Sequence, residues 1–388
     1  MSLPARAVFL AFLHLGLVLL AACGESAQSS TPVDAPDQLG AFAVGHRAFT
    51  AVDESRNDRE LPVDVWYPTD RGNADTFPHT KYPLAGAIGL ESEVALEEAP
   101  VADLPNQILL VFSHGYNGIN TQSVELMEAL ASHGFVVASP SHTGNAQGSS
   151  DDSFDEAAAN RVPDVSFVID QMFARNDDAS DPFHGRLSKA QVGVVGHSFG
   201  GMTALGMAAG WAGADPDPRV RAIAPISAVI DPDLQSDSRE GDNAGFTAEQ
   251  LAGVSVPVML IGGTEDVNVP IGNNAIAFEE LINAPVVYKV DVIGANHTHF
   301  ANVCSIGNLL LDLGVSQEAW PALGAEDLLE PYEATCSPDV FPIEEATRLQ
   351  NLYVVAFFKR HLMNQIGYEQ YLTTDFAATE PAIDLSVR

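Results

Sequence analysis

The sequence predicts an α/β fold: a mostly parallel central sheet with helices on both faces. Three observations carry that expectation. From residue 108 onward, short apolar runs alternate with longer stretches of helical periodicity. Runs such as ILLVFS (108–113) and VGVVG (192–196) are continuously apolar, as strands buried on both faces are. Finally, a Gly-x-Ser-x-Gly pattern falls at a junction between such a run and a helical stretch.

The elements follow in chain order. AFAVGHRAFTAVD (41–53) and LPVDVWYP (61–68) read as two extended segments around a polar turn, an antiparallel hairpin. Arg71 to Leu104 reads as loop, being rich in Gly, Pro and acidic residues. The strand at 108–113 is followed by a helix near 121–133 and a strand FVVASP at 135–140. Residues 162–175 place apolar side chains at 165, 168, 169, 172 and 173, one face of a helix. Then come the strand at 192–196, a helix at about 199–210, and strands at 222–227 and 256–263. A helix near 271–283 and a strand at 286–294 complete the alternation, and 344–364 forms a closing amphipathic helix. The acidic segment 231–252 and the Cys-bracketed segment 303–343 read as insertions near strand ends, where substrate-shaping loops sit. No internal repeat is present.

Composition bounds the function. With 18 Lys and Arg against 52 Asp and Glu, the chain of 388 residues carries a formal charge of -34. A surface this negative repels phosphate, which excludes nucleic acid as a partner and disfavours anionic substrates. At the N-terminus, Arg6 precedes an apolar run, Ala7 to Ala22, that is too short for a stable membrane span. It ends Leu20-Ala21-Ala22-Cys23-Gly24, which resembles the lipobox of bacterial lipoproteins. That resemblance implies a signal peptide at 1–22, lipid on Cys23, and a flexible Ser/Pro/Ala tether at 23–40. It places the chain in the cell envelope, with the outer membrane favoured because Gly24 replaces the Asp of inner-membrane retention. The main domain is expected at 41–365 and a C-terminal tail at 366–388. Export makes a disulfide between Cys304 and Cys336 the expectation, two free thiols being the alternative.

Gly196-His197-Ser198-Phe199-Gly200-Gly201 is the chemical centre of the sequence. A strand that turns sharply into a helix exposes the Ser198 hydroxyl, and the helix start supplies backbone N–H groups and a positive dipole end. Phe199, next after the nucleophile, is the expected first oxyanion donor.

Together with Ser113-His114-Gly115-Tyr116, ALASHGFVVASP (129–140) and IGGTEDVNVP, this elbow resembles the α/β-hydrolase superfamily. Within it the chain is most similar to bacterial relatives of platelet-activating-factor acetylhydrolases and to cutinase-like polyester hydrolases, over about residues 41–363. Dienelactone hydrolases share the fold but use Cys where this chain has Ser198. The resemblance implies the chain order Ser, Asp, His. It points to Asp266 as the acid, with Asp231 as the alternative, and to His297 as the base within Gly294-Ala295-Asn296-His297, with His299 as the alternative. It also implies Tyr116 as the second backbone oxyanion donor. His297 and His299 form an H-x-H pair without a third ligand nearby, and neither a metal nor a cofactor is expected.

The expected activity is hydrolysis of a neutral small-molecule or lipid ester through an acyl-enzyme. Thioester, amide or lactone cleavage and a non-catalytic lipid-anchored binding protein are the alternatives.

Overall fold

The computed structural model describes Met1 and residues 33–86, 88–235 and 243–388. The expected leader and Cys23 lie outside the described residues. From Val33 to Arg388 the chain forms one compact unit.

In chain order the strands and helices are β1 (Ala43–Asp53), β2 (Arg59–Thr69), β3 (His79–Ala85), β4 (Ile88–Glu97), β5 (Gln107–Ser113), α1 (Val124–Ser132), β6 (Val136–Pro140) and α2 (Phe154–Asp177). Then follow β7 (Leu187–His197), α3 (Phe199–Ala209), β8 (Val220–Ile226), α4 (Ala248–Gly253), β9 (Val258–Gly263), α5 (Gly272–Glu280) and β10 (Val287–Val292). The chain closes with α6 (Val303–Asp312), α7 (Leu329–Cys336), α8 (Ile343–His361), α9 (Thr374–Ala377) and β11 (Ile383–Val387).

The strands form a single sheet in the order β11-β10-β9-β8-β7-β5-β6-β2-β1-β4-β3. Its centre, β6 through β10, is parallel; β11 and the pairs β2–β6, β1–β2 and β3–β4 are antiparallel. All seven residues of β5 are buried. Because successive side chains point to opposite faces, Leu110 and Phe112 join one core and Leu109 and Val111 the other. The first core is closed by α1 and α8, the second by α2 and α3.

The crossover from β5 to β6 therefore uses one face and those from β6 to β7 and β7 to β8 the other. This reversal makes the carboxyl ends of β5 and β7 the switch point of the sheet, where a crevice opens in folds of this class.

Two stretches differ from the sequence reading. Residues 71–104, read as loop, contain the hairpin of β3 and β4. Their inward positions include polar Ser92 and Tyr82, whose hydroxyls both bond the buried carboxylate of Glu128 at 2.6 and 2.8 Å. That arrangement hides the apolar period. The stretch read as a tail, 366–388, ends in β11, which pairs antiparallel with β10 and buries Ile383 and Leu385. Five residues alternating Ile-Asp-Leu-Ser-Val give too short a signal to distinguish from coil.

Cys304 and Cys336 form a disulfide joining α6 to α7. Closing a loop of this length stabilises the fold by about 3 to 4 kcal/mol in the chain-entropy account.

Candidate active site

Ser198 stands between β7 and α3 with φ 59° and ψ -120°, a conformation that costs a non-glycine residue energy. The packing around the turn enforces it. A Cβ on Gly196 would lie 2.2 Å from the Gly200 carbonyl oxygen, and one on Gly200 would lie 1.8 Å from that of Ser113. Only glycine lets the strand, the helix start and the end of β5 approach this closely.

The Ser198 hydroxyl meets His297 Nε2 at 2.9 Å, and His297 Nδ1 meets Asp266 Oδ2 at 2.8 Å. The structure thus brings Ser198, His297 and Asp266 together from the ends of β7, β10 and β9. Asp266 is buried, with its other oxygen accepting the Val269 N–H at 2.7 Å and the Asn268 N–H at 3.0 Å. Burial pushes this carboxyl up, but the His297 hydrogen bond and charge and the backbone donors outweigh it, and it stays below its ordinary range.

The alternatives are engaged elsewhere. Asp231 caps a short 3-10 helix, accepting the Asp233 N–H at 3.0 Å. His299 is buried and donates from Nε2 to the Phe341 carbonyl at 2.8 Å, while its Nδ1 accepts the Asn296 N–H at 2.9 Å. Both its ring nitrogens are thus engaged by backbone groups.

That loop is held by the disulfide-linked segment. Asn296 donates to the Ala334 carbonyl at 2.8 Å and accepts from Thr335 Oγ1 at 3.2 Å, and the Thr298 and Thr335 hydroxyls bond each other. Cys336 is the next residue, so the staple to α6 steadies the segment that holds Asn296 and Thr298 on either side of His297.

His197 ties the loops together from behind. Its Nδ1 accepts from Gln122 Nε2 at 2.6 Å and its Nε2 donates to the His297 carbonyl at 2.9 Å. Burial, with a smaller push from His297, lowers its pKa to about 3. Gln122 in turn accepts the Gly115 N–H at 2.9 Å.

Phe199 is the first residue of α3, so its N–H has no acceptor within the helix. The loop carrying Tyr116 runs beside the nucleophile: a Cβ on Gly115 would stand 3.5 Å from Ser198 Cβ. The Tyr116 ring stacks on Phe154 at 5.9 Å and meets Phe199 edge-on at 5.3 Å.

A cleft opens at Ser198 and His297. Phe154, Phe199, Met202, Val229 and Val269 line it, with Gln235 and Asn268 as polar contributions; none of its described lining residues is charged. No group of three or more His, Cys, Asp or Glu is placed to hold a metal among the described residues.

Sequence reasoning missed a buried polar cluster behind the loop after β5: Arg161, Asp164 and His142. Asp164 accepts two bonds from Arg59, at 2.8 and 2.9 Å, one from Arg56 at 2.7 Å and one from His142 at 2.9 Å. A signal was present, since Arg161 lies four residues before Val165 and seven before Val168, on the apolar face of α2.

The sheet order and the strained strand-to-helix turn at Ser198 define the α/β-hydrolase fold. Residues 103–275 match the family described as Chlorophyllase, whose members are esterase-type hydrolases. The match takes in Tyr116, Ser198, Phe199 and Asp266 and stops short of His297. No curated protein matches the chain.

Proposed function

We propose that the protein is a serine carboxylic-ester hydrolase acting on neutral esters through an acyl-enzyme. The observation that carries this reading is the His297 ring, set between Ser198 Oγ at 2.9 Å and the Asp266 carboxylate at 2.8 Å. Ser198 Oγ attacks the ester carbonyl carbon while His297 Nε2 takes its proton, and the carbonyl π pair moves onto oxygen. The N–H groups of Phe199 and Tyr116 stabilise this oxyanion. As it collapses, the alcohol leaves with the proton from His297; water then repeats the sequence to free the acid and Ser198. Asp266 holds the imidazole tautomer and balances the imidazolium charge.

Among the described residues the cleft lining carries no charge and mixes apolar side chains with Gln235 and Asn268, which suits an uncharged acyl group and is in keeping with the acidic surface. The lipobox-like sequence ending in Cys23 supports envelope anchoring, which would hold the enzyme near lipid esters.

A series of p-nitrophenyl esters of increasing acyl length tests the reading. Hydrolysis with a preference among chain lengths is expected, lost in Ser198→Ala. No turnover of any ester by folded wild-type protein would contradict it.

A further inference from the structure

Arg161 is fully buried on α2, and its placement is unusual for a charge. Its Nη1 donates to the His114 carbonyl and, at 3.2 Å, to Ser113 Oγ; its Nη2 donates to the Gly115 carbonyl at 2.9 Å and to Asn145 Oδ1. These acceptors are all neutral. The nearest carboxylate in sequence on the same helix face, Asp164, is already bonded by Arg56, Arg59 and His142. Burying a guanidinium without a directly bonded counter-charge is costly, so fold stability alone does not explain this residue.

Its targets do. The Gly115 carbonyl accepts three donors: Arg161 Nη2, His114 Nδ1 at 2.8 Å and the Gly118 N–H at 3.2 Å. All described peptide bonds are trans, so the carbonyl of residue 115 and the N–H of residue 116 point to opposite sides of one peptide plane. Pinning the carbonyl therefore fixes the N–H, and a charged donor on the oxygen polarises that N–H further. The guanidinium also lies 4.8 Å from the centre of the Phe199 ring.

We propose that Arg161 is a positioning residue for the oxyanion site: it holds and polarises the Gly115–Tyr116 peptide so that the Tyr116 N–H serves the negative charge that develops when Ser198 attacks. This rests on the acyl-transfer reading above. Ser113, His142 and Asn145 act as its frame, since Ser113 Oγ also bonds His142 Nε2 at 3.0 Å and Asn145 donates to Asn117 at 2.8 Å.

The role makes a demand that simple packing does not. An oxyanion device acts in the transition state, so its loss lowers kcat and leaves KM nearly unchanged. Arg161→Gln is expected to lower kcat about 10²-fold, with KM within about threefold. Affinity for an alkyl boronic acid, which forms a tetrahedral adduct on serine, should fall in proportion. Arg161→Lys keeps the charge and should recover part of both. Asn145→Ala removes one of the guanidinium's acceptors and keeps the charge; an intermediate fall in kcat, about tenfold, is expected, and it decides the matter if Arg161→Gln does not fold. Folded variants with unchanged kcat and boronate affinity, beside an active wild type, would overturn this proposal alone. A wild type inert to every ester and to boronate would overturn the acyl-transfer reading with it.

Discussion

Ser198→Ala and His297→Gln are each expected to lower kcat/KM for a p-nitrophenyl ester by about 10⁴-fold or more, and the double variant no further than the worse single one. In the proposed mechanism the three side chains work on one proton: His297 touches Ser198 at 2.9 Å and Asp266 at 2.8 Å, so removing any member leaves the others without a task. Asp266→Asn should cost about 10⁴-fold, because an amide facing Nδ1 no longer selects the tautomer that leaves Nε2 free to accept. Two neighbours provide the control. Asp231→Asn should stay within about twofold of wild type, since Asp231 caps a turn. His299→Gln removes a contact to the Phe341 carbonyl and should fall between these limits. Steady-state kinetics on folded variants decide it; a greater loss from His299→Gln than from His297→Gln would reverse the assignment of the base.

The second large effect is acid sensitivity of the fold. His114, His142 and His197 are buried and neutral. Burial pushes the first well below its ordinary value, the second to about 4 and the third to about 3. Below about pH 6.5 the unfolded chain protonates these imidazoles and the native chain does not, so stability falls with pH until the native values are reached. Glu128 opposes this: burial raises its carboxyl to about 7, so between about 4.5 and 7 the native state binds its proton and the unfolded chain does not. Burial lowers His133, His299 and His361 as well, and raises Glu125 beside Glu128, so depressed imidazoles outnumber raised carboxyls and the balance is a loss of stability as pH falls from about 6.5 toward 5. At lower pH the depressed carboxyls of Asp164 and Asp266 act in the same direction as the histidines. Urea unfolding followed by fluorescence should therefore show a midpoint that drops steeply from pH 7 to pH 5. An unchanged midpoint across that range would contradict the buried, neutral state of these histidines.

The parts of the molecule that were legible in the sequence are those where one physical demand dominates. Strands buried on both faces must be largely apolar, and β5 and the buried second half of β7, from Val192, were visible for that reason. The turn at Ser198 must have glycine where side chains would enter neighbouring carbonyls, and Gly196 and Gly200 mark it. The positions of Asp266 and His297 needed the resemblance to a known superfamily, because a single carboxylate or imidazole after a strand carries no local signature. What escaped were elements stabilised by polar partners distant in sequence. Ser92 faces inward on β4 only because Glu128 on α1 bonds it. Arg161 is tolerated inside only because it binds carbonyls some 46 residues earlier in the chain. Spacing along the chain does not encode such pairs.

The most direct test of the central claim is to trap the acyl group. An acid quench during turnover of a p-nitrophenyl ester, followed by digestion and mass spectrometry, is expected to find one acyl group per chain, on the peptide containing Ser198 and on its hydroxyl. A fluorophosphonate should mark the same residue and spare Ser198→Ala. Ester turnover with Ser198 unmodified, or with the label carried by another residue, would contradict the account.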